Sequence, residues 1–247
     1  MRVPRKSYFL PSAFTAGNVL CGFFSLVSAM RGDLHFACWL IVVAGVLDFA
    51  DGKVAMFSHS ESRFGIELDS LADIISFGIA PGVIMYQFFL RDRGEWSWMV
   101  AFIFVLCGAL RLARFNVETT GAKKTKFKGL PIPMAAACLI SFVPFCTTGF
   151  FRTVSFNLNY SRFLVFLILI LAGLMVSNVE YPVAPRLDLR TFRGISGFVL
   201  GFLFIFVMIY YWDILLFPFS FLYVAWGLLR AIVLGAVSRL PEKGSNS

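Results

Sequence analysis

Histidine and charge are scarce in this 247-residue chain. It has only two histidines, His35 and His59, and Asp, Glu, Lys and Arg together make up 15% of it, well below the roughly one quarter of an ordinary soluble domain. Two histidines, and no C-x-x-C pair among five cysteines, leave no ligand set for zinc. Cys21, Cys38, Cys107, Cys138 and Cys146 all fall in apolar stretches and read as small core residues, not as a disulfide framework. No small-residue cleavage site follows the basic start Arg2, Arg5 and Lys6, so the first apolar segment is expected to be retained.

What is abundant is apolar surface: 59% hydrophobic residues, 30 of them Phe, with a mean hydropathy of +0.80. About 20 consecutive apolar residues span a bilayer. That rule predicts an all-α, polytopic membrane bundle forming one domain over 1–247, with about eight helices at 12–30, 34–57, 65–90, 96–116, 131–151, 162–179, 194–211 and 213–236. The net charge of +8 does not point to nucleic acid, because the basic residues lie in short loops between apolar segments. Seventeen of the 22 Lys and Arg fall on one side if the N-terminus is cytoplasmic, which predicts both termini inside by the positive-inside rule. In a bacterium this is the inner membrane. Trp96, Trp98, Tyr210, Tyr211 and Trp212 fall at the opposite helix ends, where an aromatic belt belongs.

Against this background stand four aspartates, Asp48, Asp51, Asp69 and Asp73. A carboxylate at the centre of a membrane helix costs roughly 2.5–3.5 kcal/mol, so four of them mark a site. Asp48 and Asp51 are spaced i, i+3, and Asp69 and Asp73 i, i+4, so each pair projects from one helix face. The polar stretch from Ser58 to Arg63 turns the chain back, which lets the two faces meet near the cytoplasmic ends of consecutive helices. Glu67 points off that face. Small residues nearby, among them Gly45, Gly52, Ala55, Gly65, Ser70, Ala72, Ser76 and Gly78, allow close approach and leave room for a ligand. Paired carboxylates suit hard cations such as Mg²⁺, Mn²⁺ or Ca²⁺.

The patterns D-x-x-D-G-x-x-A, from Asp48 to Ala55, and G-x-x-x-D-x-x-x-D, from Gly65 to Asp73, place seven residues at fixed spacing within 26. They resemble the signature of the CDP-alcohol phosphatidyltransferases. Further stretches are similar to the branch of that family that acts on serine: LDSLADIISFGIAPG from Leu68, RLARFNV from Arg111, FKGLPIPMAAA from Phe127 and MVSNVEYP from Met175. The likeness covers about residues 8–185.

The resemblance implies transfer of the phosphatidyl group from CDP-diacylglycerol to L-serine, with two divalent cations, Mg²⁺ or Mn²⁺, on Asp48, Asp51, Asp69 and Asp73. Asp73 would also take the proton of the serine hydroxyl. It implies that Ser12, Thr15, Gly52, Lys53, Ala55, Ser62 and Gly65 line the site of the CDP-lipid. Arg111 and Arg114, or Lys128 and Lys126 in the basic loop, are the cations available for the serine carboxylate. Met56 stands where members usually carry an Arg that helps hold CDP, and Lys53 or Arg63 is the candidate to replace it. A homodimer in a lipid bilayer is also implied. The alternatives are another acceptor (glycerol phosphate, inositol phosphate or choline), an inactive relative keeping a structural metal, and an ion-coupled transporter.

Overall fold

The computed structural model describes residues 9–58, 63–119, 127–148, 160–181 and 211–237. Helix α1 (Phe9–Met30) and α2 (Leu34–Ser58) form an antiparallel hairpin. Its turn is made by two residues with opposite tasks. Gly32 takes a φ of 87° at the end of α1, a left-handed conformation that suits glycine. Asp33 then starts α2, its Oδ1 accepting the N–H of Phe36 at 3.2 Å, which satisfies one of the donors a helix start leaves free.

The third transmembrane segment begins as α3 (Arg63–Asp73) and continues to Leu90 without a break. Directly after Asp73 the helix widens into π-helical geometry over Ile74–Ile79, where the Ala80 N–H reaches back to the Ile75 carbonyl. It tightens again in α4 (Ala80–Met85) and widens once more over Tyr86–Leu90. Pro81 contributes to this irregularity, since it has no N–H with which to close an ordinary helical bond. The expected single helix over 65–90 is present, but it is not uniform.

After α5 (Trp98–Thr119) come a two-residue strand β1 (Phe127–Lys128), α6 (Ile132–Thr147), α7 (Tyr160–Val176), a second short strand β2 (Glu180–Tyr181) and α8 (Trp212–Val237). The strands pair antiparallel, Phe127 opposite Tyr181 and Lys128 opposite Glu180. Pro131 and Pro133 open α6 and Pro144 lies within it. That helix stops at Thr147, short of the expected 151.

The architecture is helical, and among the described residues five helices are long and apolar enough to cross a membrane; α6 and α7 are apolar but shorter. The expected helix over 194–211 falls almost wholly outside the described residues, so the count of eight stays an expectation. The core gathers around Phe77, Phe104, Ile132 and Leu139, all fully or almost fully buried. The outside is apolar too: Phe49, Phe166, Leu222 and Trp226 are each about two-thirds exposed, at 65%, 67%, 66% and 66%. Such a surface has no stable home in water. The chain is an integral membrane protein.

Candidate functional site

The aspartates meet where α1, α2 and the third segment pack together. Carboxylate oxygens of Asp48, Asp69 and Asp73 all lie within 4.8 Å of one another. Asp51 sits one turn farther along α2, and its Oδ2 accepts a hydrogen bond from the Thr15 hydroxyl on α1. Asp51 and Asp73 are buried, and each keeps one oxygen, Oδ1, with no hydrogen-bond partner among the described residues. Packed carboxylates of one sign repel in a medium of low dielectric, and orphaned buried oxygens add to the cost. Hard oxygen donors that converge and lack partners are what a divalent cation of the Mg²⁺, Mn²⁺ or Ca²⁺ type requires. The residues fit such ions.

The motif RLARFNV divides its work among three partners. Arg111 is 7% exposed and lies close enough to Asp73 to interact electrostatically, while its Nε has no hydrogen-bond partner among the described residues. Arg114 faces the other way. Its guanidinium donates to the carbonyls of Val176 at 2.9 Å and Ser177 at 3.1 Å, and to Asn178 Oδ1 at 3.5 Å. Asn116 reaches α3, its Nδ2 donating to Ser70 Oγ at 3.0 Å and to Glu67 Oε2 at 3.3 Å. Glu67 thus braces α3 against α5 and takes no part in the carboxylate cluster.

The same contacts join stretches far apart in sequence. Gly129 donates its N–H to the Val179 carbonyl at 2.8 Å, and Leu130 to the Leu174 carbonyl at 3.1 Å. Gly129 has a φ of 80°, and a Cβ there would lie 2.3 Å from the Met175 carbonyl oxygen and 2.9 Å from Arg114 Nη2. The segments FKGLPIP and MVSNVEY are therefore clasped together at the end of α5, one turn from Arg111.

Of the sequence-derived residues, the structure brings together Asp48, Asp69 and Asp73, with Asp51 and Thr15 beside them and Arg111 next to Asp73. Gly52 is exposed, and open space lies where its Cβ would be. Gly65 is part-buried on the first turn of α3. Ser62 lies outside the described residues, as do Lys123, Lys124 and Lys126. Ser12, Lys53, Ala55 and Lys128 lie on described backbone, but their side chains, with those of Met56 and Arg63, are outside the description. Sequence reasoning passed over Asn18 and read Ser76 only as a small residue; the Ser76 Oγ donates to the Asn18 carbonyl at 3.0 Å. The signal for Asn18 was available: a polar residue one turn beyond Thr15 within an apolar helix.

Comparison with known proteins agrees with this geometry. The family model described as CDP-alcohol phosphatidyltransferase matches residues 8–179. A protein of Helicobacter pylori named CDP-diacylglycerol–serine O-phosphatidyltransferase is 39% identical over 175 residues, covering 71% of this chain and 72% of that protein. An archaetidylserine synthase of Methanothermobacter thermautotrophicus is 38% identical over 175 residues, 70% of this chain and 69% of that one. A Saccharomyces cerevisiae protein, again named CDP-diacylglycerol–serine O-phosphatidyltransferase, is 39% identical over 149 residues, 55% of this chain and 53% of its own length.

Proposed function

This chain belongs to the CDP-alcohol phosphatidyltransferase family, and from that premise we propose that it transfers the phosphatidyl group of CDP-diacylglycerol to L-serine, giving phosphatidylserine and CMP. The observation that carries this reading is the convergence of Asp48, Asp69 and Asp73 beside Arg111, within a chain whose similar proteins bear serine-transferase names.

Asp73 takes the proton of the serine hydroxyl. The serine oxygen then forms its bond to the phosphorus that carries the diacylglycerol, and the bond from that phosphorus to the oxygen shared with CMP breaks. The electron pair leaves on CMP. A buried carboxylate is a suitable acceptor for that proton, because a free hydroxyl is a weak nucleophile near neutral pH. Asp48, Asp51, Asp69 and Asp73 would hold two divalent cations, Mg²⁺ or Mn²⁺, which when bound neutralise diphosphate charge and stabilise the attacking and leaving oxygens. Arg111 supplies positive charge for the serine carboxylate. Arg114 is committed to the carbonyls at the end of α7 and holds that segment in place.

Thr15 orients Asp51, and open space at Gly52 admits the nucleotide against the backbone. Ser12, Lys53, Ala55, Ser62, Gly65 and Lys128 complete the reading on sequence grounds. The site and both termini face the cytoplasm, because the basic loops gather on that side. Two copies form the working unit, which native mass spectrometry from detergent would read directly.

The test is CMP release by the purified protein with CDP-diacylglycerol, Mg²⁺ or Mn²⁺, and L-serine, glycerol 3-phosphate, inositol phosphate or choline in separate reactions. Serine-dependent release that EDTA abolishes is the expected result. Release with a different alcohol moves the substrate and keeps the chemistry. Silence with every acceptor, in folded protein, overturns the enzymatic reading.

A further inference from the structure

Asn18 is 0% exposed, and neither its Nδ2 nor its Oδ1 has a hydrogen-bond partner among the described residues. A buried amide with both ends unsatisfied is rare, because each orphaned group has given up water for nothing. Its place in the fold says where the missing partner sits. Thr15, Asn18 and Gly22 recur at i, i+3 and i+7, so they share one face of α1. At one end of that face Thr15 bonds to Asp51. At the other, Gly22 presses on Ser76, where a Cβ would lie 2.9 Å from the Ser76 Cα. Between them the Asn18 backbone carbonyl accepts the Ser76 hydroxyl.

Because α1 and α2 run antiparallel, one turn inward from Thr15 on α1 matches one turn inward from Asp51 on α2, and that residue is Asp48. Ser76 stands one turn beyond Asp73. Asn18 therefore sits at the level of Asp48 and Asp73, on the bilayer side of the Thr15–Asp51 pair.

We infer that Asn18 is a specificity-determining contact for the acceptor, its amide binding the polar head of a hydroxy-amino acid; this rests on the function proposed above. The reason is the donor and acceptor count. A metal ion would take Oδ1 and leave Nδ2 without a partner, and a phosphate would do the reverse. A ligand carrying a hydroxyl, an ammonium and a carboxylate satisfies both ends. The neighbouring orphaned groups fit the same ligand: Asp73 Oδ1 accepts from the hydroxyl or ammonium, and Arg111 Nε donates to a carboxylate.

The experiment compares wild type with Asn18→Ala and the near-isosteric Asn18→Asp, each as full-length purified protein whose folding is checked by its elution profile and melting curve. Three constants are measured: L-serine KM, together with its equilibrium Kd so that binding is read without turnover; the Mn²⁺ Kd by electron paramagnetic resonance; and the CDP-diacylglycerol Kd. Both variants should weaken serine by about tenfold or more, equivalent to about 1.4 kcal/mol, with the other two constants within about twofold of wild type. Unchanged serine constants in both variants overturn the inference and make Asn18 a packing residue. Loss of Mn²⁺ or CDP-diacylglycerol affinity in place of serine affinity also overturns it, assigning the amide to the donor side. If the wild type binds and uses glycerol phosphate, inositol phosphate or choline in place of serine, the proposed function fails on its own terms, and so does the amino-acid assignment. A wild type that uses serine while the variants keep its affinity sinks the inference alone.

Discussion

Arg114 lies across the C-terminal end of α7, its guanidinium 2.9 Å from the Val176 carbonyl and 3.1 Å from that of Ser177. The last carbonyls of a helix have no partner within it, and a basic side chain is the group that satisfies them and complements the helix dipole. The contact spans more than 60 residues of sequence and ties α5 to the segment that pairs with β1. Arg114→Ala removes charge-assisted bonds of about 1.5–3 kcal/mol each, so a marked fall in melting temperature in detergent is expected. Arg114→Lys can restore charge but not the forked geometry, and should recover only part of the loss. A melting temperature within a degree of wild type for the alanine variant would refute this role.

Gly129 should be among the least replaceable positions in the chain. Its φ of 80° and the Met175 oxygen 2.3 Å from where a Cβ would sit exclude any side chain without movement of backbone. Gly129→Ala should cost several kcal/mol by strain and by loss of the Gly129–Val179 and Leu130–Leu174 bonds, of the order of 1 kcal/mol each. Yield of folded, monodisperse protein after detergent extraction is the simplest reading. Recovery equal to wild type would count against the tight clasp.

Thr15→Val removes the hydroxyl that bonds to buried Asp51 and keeps the shape. An orphaned buried carboxylate oxygen costs about 1–3 kcal/mol. Weaker Mn²⁺ binding, by about tenfold, is expected from a less well oriented Asp51. Isothermal titration with Mn²⁺ checks it, and an unchanged constant would show that Asp51 needs no help from α1.

Gly22→Leu should push α1 away from the widened helix after Asp73, because even a Cβ meets the Ser76 backbone at 2.9 Å. Turnover should fall together with thermal stability. The control is Gly17→Ala, where the nearest neighbour is the flexible end of Leu47 at 3.2 Å, and there a smaller loss is expected.

Asp73→Asn should lower turnover by at least the 10²–10⁴ range, roughly, that a general base contributes, while CDP-diacylglycerol binding stays near wild type. Equal loss of both would demote Asp73 from base to ligand. Mn²⁺ affinity measured in parallel separates the two.

Much of this molecule was legible before any coordinates. Membrane helices are legible because about 20 apolar residues are a one-dimensional property, and the segments at 12–30, 34–57, 65–90, 96–116 and 213–236 all correspond to described helices with ends shifted by a few residues. The convergence of Asp48, Asp69 and Asp73 was legible because carboxylates in such segments are too costly to face lipid. The widening after Asp73 was not, since nothing in the local hydropathy of Ile74–Ile79 marks it, and Gly78 meets Ile132 of a distant helix there.

The sequence by itself determined that this is a helical membrane protein of a recognisable family and pointed to Asp48, Asp51, Asp69 and Asp73 as its candidate site. Spacing and hydropathy are local, and they suffice for that. Only the tertiary structure decided which charges do what: Arg111 and Arg114 are three residues apart on one helix, yet one stands by Asp73 and the other caps α7. It also decided that Asn18 lies buried against Ser76, one turn beyond Asp73, with neither end of its amide satisfied among the described residues. Those facts depend on which helices lie against each face, and packing between distant segments leaves no mark at a single position.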